Sequence, residues 1–96
     1  MITTESSKKN ALRIAKLLIQ NKLAACVSIK QIFSIYEWDE DIKETKEFEL
    51  TIKSKPEFKG YLIDFLKKIS SYEVPQIIYK KYFTEVKYYN WLKQTI

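Results

Sequence analysis

The chain has 96 residues, 46% of them hydrophobic and 15% aromatic, with a formal net charge of +5 from 17 basic and 12 acidic residues. Domains cluster at about 100–150 residues, so this length leaves room for one core over residues 1–96 and not for two. With no histidine and Cys26 as the only cysteine, the composition excludes an internal disulfide, a Cys–His nucleophile pair, and zinc or copper sites leaning on those ligands.

The elements read as follows in chain order. Met1 to Thr4 is short and extended enough to end a first strand. Ser6 or Ser7 is placed to cap a helix running to Lys22, in which Ala11, Ile14, Ala15, Leu18 and Ile19 recur at helical spacing. Cys26 follows in the apolar run Leu23–Val27, which predicts a buried packing thiol. Cys26 to Tyr36 then reads as one long strand, bent by a bulge near Gln31 and Ile32. A turn at Asp39-Glu40-Asp41 leads to a strand over Lys46–Lys53, where Phe48, Leu50 and Ile52 alternate with Glu47, Glu49, Thr51 and Lys53. Together these two strands make a long β-hairpin.

Ser54-Lys55-Pro56-Glu57 predicts a helix start, with Ser54 as cap, Pro56 in the first turn and Glu57 completing a capping box. That helix carries Phe58, Tyr61, Leu62, Phe65, Leu66 and Ile69 and stops near Ser70-Ser71. Glu73 to Tyr79 reads as a fourth strand, with Pro75 suiting an edge or a strand start. Thr84 is placed to cap a last helix bearing Val86, Tyr88, Tyr89, Trp91 and Leu92. The order is therefore α+β: a ferredoxin-like βαββαβ arrangement with a long β-hairpin and an additional C-terminal helix.

Partners are read from charge and aromatic content. The basic side is lysine except for Arg13, and no basic block exceeds two adjacent lysines, which argues against a nucleic-acid groove. No apolar stretch approaches the roughly 18–20 residues of a membrane span, and Met1–Glu5 lacks the charged-then-apolar pattern of an export signal. The expectation is a cytoplasmic protein with no membrane partner. Seven tyrosines exceed what a small core needs and favour a subunit interface.

Four segments carry a family likeness: Lys22-Leu23-Ala24-Ala25-Cys26-Val27, Ser34-Ile35-Tyr36-Glu37-Trp38, Tyr72-Glu73-Val74-Pro75-Gln76-Ile77-Ile78 and Tyr88-Tyr89-Asn90-Trp91-Leu92. In order and spacing they resemble the CutA divalent-cation-tolerance family from about Thr3 to Leu92. The resemblance implies a homotrimer in which long hairpins extend the neighbours' sheets, a shape similar to PII signalling proteins, and a link to copper and other divalent cations. It also implies no catalytic residue and no cofactor. The family's proposed copper ligands map onto Thr3, Ile69, Ser70 and Gln76, none of which ionises, so no metal ligands are expected. Tyr72 is retained, and the family's glycine in the turn after Trp38 is Glu40 here.

Tyr36 and Trp38 lie two apart and share one face of an extended segment. With Tyr72, Lys53 and Gln76 they are the candidate lining of an intersubunit cleft for a small molecule, an anion or a protein partner. Glu47 and Glu49 read as a polar sheet face or as intersubunit ion pairs. Two other modules share the element order. An RNA-recognition module wants a basic, aromatic central strand, whereas this one offers Glu47 and Glu49. An acylphosphatase-like enzyme wants an arginine in a phosphate loop, whereas Arg13 falls within the first helix.

Overall fold

The computed structural model describes residues 1–96. The helix α1 spans Lys8–Gln20 because both of its ends are chemically marked. Ser7 is extended at its start and its side chain accepts a hydrogen bond from the Asn10 amide at 3.1 Å. At its end Lys22 turns left-handed (φ 58°), and the amides of Lys22 and Leu23 donate to the carbonyls of Ile19 and Leu18. That closure stops the helix two residues before the expected Lys22. The buried face of α1 is Ala11, Ile14, Ala15 and Leu18.

Three strands, β1 (Ile2–Glu5), β2 (Cys26–Trp38) and β3 (Asp41–Lys53), form an antiparallel sheet in the order β1-β3-β2. Each hairpin strand has 13 residues, and pairing runs unbroken from Cys26 opposite Lys53 to Trp38 opposite Asp41. The bulge expected in β2 is therefore absent. β3 also begins at Asp41 rather than Lys46, since a two-residue turn closes the hairpin directly behind Trp38.

That turn places Asp39 at φ 50° and Glu40 at φ 67°. Two successive left-handed residues match the twist of a tight hairpin and favour Asn-Gly or Asp-Gly. Asp39 suits the first position. Glu40, with a Cβ and no local hydrogen bond, is strained at the second. Glu40→Gly is expected to stabilise the protein by about 0.5–1 kcal/mol, seen as a higher urea midpoint at unchanged slope.

After the hairpin a 3-10 turn, Pro56–Phe58, runs into α2 (Lys59–Ile69). The capping box is not made. Lys55 occupies the cap position with no capping bond from its side chain, and the Ser54 hydroxyl instead donates to the Leu23 carbonyl at 2.6 Å. Ser54 thus ties the end of β3 to the loop after α1. In α3 (Val86–Thr95) the cap is Glu85, whose carboxylate accepts from the amides of Lys87 and Tyr88, so Thr84 does not serve. A carboxylate there also complements the positive end of the helix.

The fourth strand shrinks to one rung on the free edge of β1, where Ile2 and Ile78 exchange both backbone hydrogen bonds at 2.7 and 3.1 Å. Continuing that register would put Gln76 opposite Thr4 and Pro75 opposite Glu5. Pro75 has no N–H to donate, and residues Glu73–Ile77 stand off α2 across a groove of about 490 Å³ lined by Ile63, Lys67 and Val74 among others. The position and antiparallel sense of the rung keep the ferredoxin-like topology.

Both helices α1 and α2 cover one sheet face. The core joins Ala11, Ile14, Leu18, Ala24, Leu50, Ile52, Leu62 and Leu66. It fills only the base of the molecule, whose extents are 46 × 24 × 22 Å. The hairpin tip projects past it, leaving Phe33, Ile35 and Ile42 at 79%, 70% and 78% exposure on the helix-side face. The outer edge of β2 pairs with no other strand. No helix is long and apolar enough to cross a membrane.

Candidate functional site

The face of the sheet away from the helices carries the even residues of β2 and the odd residues of β3, paired across the hairpin. From tip to base the pairs are Trp38 with Asp41, Tyr36 with Lys43, Ser34 with Thr45, Ile32 with Glu47, Lys30 with Glu49, Ser28 with Thr51 and Cys26 with Lys53. Most of this face is open. Glu47 is the exception, at 8% exposure.

Glu47 is buried because Tyr72 closes over it. The Tyr72 hydroxyl donates to one carboxylate oxygen at 3.0 Å and the Ser34 hydroxyl donates to the other at 2.8 Å. β1 ends at Glu5, opposite Phe48, one residue short of Glu47, which leaves the flank of β3 open to Tyr72. The turn holding Tyr72 is itself fixed by a second buried carboxylate. Glu5, on the helix side of the sheet, accepts from the Ser70 hydroxyl at 3.2 Å, the Ser71 amide at 3.2 Å and the Ser71 hydroxyl at 2.8 Å. Residues 70–72 therefore clip together two carboxylates, with the loop's own hydroxyls and amide as donors.

Burial holds the proton on Tyr72 well above the usual phenol value of 10.0, helped by the hydrogen bond to Glu47 and by the charges of Glu47 and Glu5. The folded state keeps this proton at pH values where the unfolded chain has lost it. Stability is thus unaffected below about pH 10 and falls as pH rises beyond it. In an alkaline absorbance titration one of the seven tyrosines is expected to ionise last. Tyr72→Phe should remove that step and flatten the alkaline loss of stability; a late step persisting in the variant would assign it elsewhere.

The candidate residues are distributed unevenly over this geometry. Tyr36 and Trp38 share the open face, both partly exposed, and Tyr36 lies two residues from Ser34, which with Tyr72 binds Glu47. Lys53 is on the same face at the far end of the hairpin, roughly 40 Å along the strand from Trp38 at 3.4 Å per residue. It donates to the Ser28 hydroxyl at 2.8 Å, with the Cys26 sulfur at 3.8 Å. Gln76 is exposed in the segment after α2. Within one chain Tyr36 and Tyr72 belong to the same stretch of the open face, either side of the Ser34–Glu47 bond, while Lys53 and Trp38 stand apart.

Cys26 is half-buried and turned to the open face beside Lys53, not packed in the core. The apolar run around it does not bury it, because alternation along β2 sends Val27, not Cys26, against the core. Sequence reasoning reads Glu47 as part of a polar sheet face or an intersubunit ion pair, and misses its burial and its two hydroxyl partners, Ser34 and Tyr72. Glu47 has no sequence mark beyond alternation, since its burial depends on a tyrosine 25 residues away.

The positions corresponding to the proposed copper ligands offer neutral donors. Thr3 is buried, Ile69 has no donor, the Ser70 hydroxyl is bound to Glu5, and Gln76 presents an amide. No group of three His, Cys, Asp or Glu side chains converges anywhere in the molecule. This donor set does not fit a soft metal ion. Arg13 is exposed on α1, and the central strand's open face carries Asp41, Glu47 and Glu49.

Comparison with known proteins agrees with this frame. A family model described as CutA1 divalent ion tolerance protein matches residues 1–95. The human Protein CutA is 40% identical over 73 residues, covering 75% of this chain and 41% of that protein, so the chain spans about two fifths of its length. The divalent-cation tolerance protein CutA of Thermotoga maritima is 30% identical over 95 residues, which are 98% of this chain and 94% of that one. The solved structure of the periplasmic divalent cation tolerance protein CutA from Archaeoglobus fulgidus superimposes with a TM-score of 0.93 at 33% identity, over 98% of this chain and 93% of that one. By the family model, by identity and by fold, the chain belongs to the CutA1 divalent ion tolerance family.

Proposed function

We propose that residues 1–96 form a single CutA-like domain that assembles as a homotrimer and acts as a non-catalytic, ligand-responsive or protein-interaction module linked to divalent-cation tolerance. The observation that carries this reading is the bare hairpin tip. Phe33, Ile35 and Ile42 are apolar, adjacent and uncovered, next to a β2 edge with no strand partner. A patch of this kind marks a contact surface, and further copies of the chain would cover it.

In that assembly Tyr36, Trp38, Lys53, Tyr72 and Gln76 would line a cleft between subunits. The 40 Å between Lys53 and Trp38 within one chain requires a neighbour to bring the two ends together. The free Cys26 fits a reducing cytoplasm, and fractionation of cells expressing the full chain checks that placement. Light scattering on the eluting gel-filtration peak at micromolar concentration should give three chain masses. A single chain mass would end the trimer reading.

A further inference from the structure

We infer that Glu47 is the anionic seat for an ammonium group that comes from outside the chain, either a lysine of a second copy or a small alkylamine. The inference deepens the cleft reading above and depends on it only for the lysine source.

The first observation is an uncompensated charge. A carboxylate that is 8% exposed is normally matched by a cation, since removing an ion from water is costly. The two partners of Glu47, Ser34 and Tyr72, are neutral hydroxyls. The molecule's one side-chain ion pair, Lys30 to Glu49 at 3.5 Å, does not include it. The next lysine toward the tip on the same face is Lys43, four residues and so roughly 13 Å along the strand. Lys53 is roughly 20 Å away in the other direction and bonded to Ser28. Directly across the hairpin stands Ile32, which contributes no charge. Glu5, the other buried carboxylate, also lacks a cation but accepts three hydrogen bonds from Ser70 and Ser71, whereas Glu47 accepts only two.

The second observation is independent. The Thr45 hydroxyl, two residues from Glu47 on the same face and directly opposite Ser34, is buried with no hydrogen-bond partner. Buried polar atoms are rarely left so. A carboxylate accepts along about four lone-pair directions, of which Ser34 and Tyr72 fill two. The spare acceptor directions of Glu47 call for a donor, and the Thr45 oxygen can accept from the same group. An ammonium carries three donors and no acceptor, and it also supplies the missing charge. A hard divalent ion is a poorer match, because it wants six or more oxygens and no three acidic side chains converge here.

Glu47→Gln is the informative variant, because its amide oxygen still accepts a hydroxyl and the fold, checked by circular dichroism, should persist. Calorimetry with n-butylammonium and 1,4-diaminobutane is run on wild type and variant, alongside light scattering over a dilution series. If the source is a free amine, wild type binds and Glu47→Gln weakens binding at least tenfold. If the source is a neighbouring lysine, neither amine binds and Glu47→Gln weakens assembly at least tenfold. Equal amine affinity in both proteins, or no change in either measurement, overturns the inference. A monomeric wild type would end the trimer reading separately and leave the amine titration to decide this one.

Discussion

Placing lysine at both Ile35 and Ile42 should dissociate the proposed trimer while leaving each chain folded. Ile35 pairs with Glu44 and Ile42 with Glu37, so the two isoleucines are diagonal neighbours on the helix-side face of the hairpin. In one chain both are mostly exposed, and substitutions at such sites usually change stability by less than about 0.5 kcal/mol. In a trimer that covers the tip, each lysine would be taken out of water against an apolar contact, a desolvation cost that the cross-strand Glu44 and Glu37 offset only in part, and symmetry repeats it at every contact. The Ile35→Lys, Ile42→Lys double variant is therefore expected to weaken association at least on the order of a hundredfold, about 2.7 kcal/mol. Light scattering should report one chain mass while circular dichroism is unchanged. A variant that stays trimeric would show that the tip is not the contact.

The opposite outcome is expected from Leu50→Ala. Leu50 sits on the central strand, fully buried, opposite Ile29 and Thr3 and within the cluster made by α1 and α2. Truncating it removes apolar contact and leaves a cavity that strands on both sides hinder from collapsing. The expected loss is about 3–4 kcal/mol, a large part of the roughly 5–15 kcal/mol that holds a small domain together. Urea unfolding should show it as a lower midpoint, measured at several protein concentrations because association adds to apparent stability. A loss below about 1 kcal/mol would mean that the core repacks around the gap, contrary to its tight burial.

What could be read ahead of the structure followed the range of the interactions involved. α1 was legible because its cap and its apolar face are local: Ser7 reaches Asn10, and Ala11, Ile14, Ala15 and Leu18 fall on one side. The hairpin was legible from the alternation of Phe48, Leu50 and Ile52. Its length was not, because past Thr45 β3 has no core beneath it and the alternation fades into Asp41–Glu44, while backbone pairing continues to the turn. The caps at Ser54 and Thr84 failed for a related reason. Each residue has the right chemistry, but Ser54 found a more distant carbonyl at Leu23, and the helix starts one residue later with Glu85 bonded to the amides of Lys87 and Tyr88. At the candidate site, alternation placed Tyr36 and Trp38 on one face. Nothing local revealed that residues 70–72 would bring Tyr72 onto Glu47 and hydroxyls onto Glu5.

The uncovered outer edge of β2 also bears on how the chain must be handled by a cell. Thirteen residues of backbone without a strand partner on that side form a template on which any extended polypeptide can add a strand. Lys30 and Glu37 blunt this edge, but Phe33 and Ile35 beside it do not. If the proposed trimer forms, a newly made copy is in a race between finding its neighbours and pairing with the wrong chain. Slow supply at low concentration, or a chaperone that shields the edge, would decide how much of the protein ends up soluble.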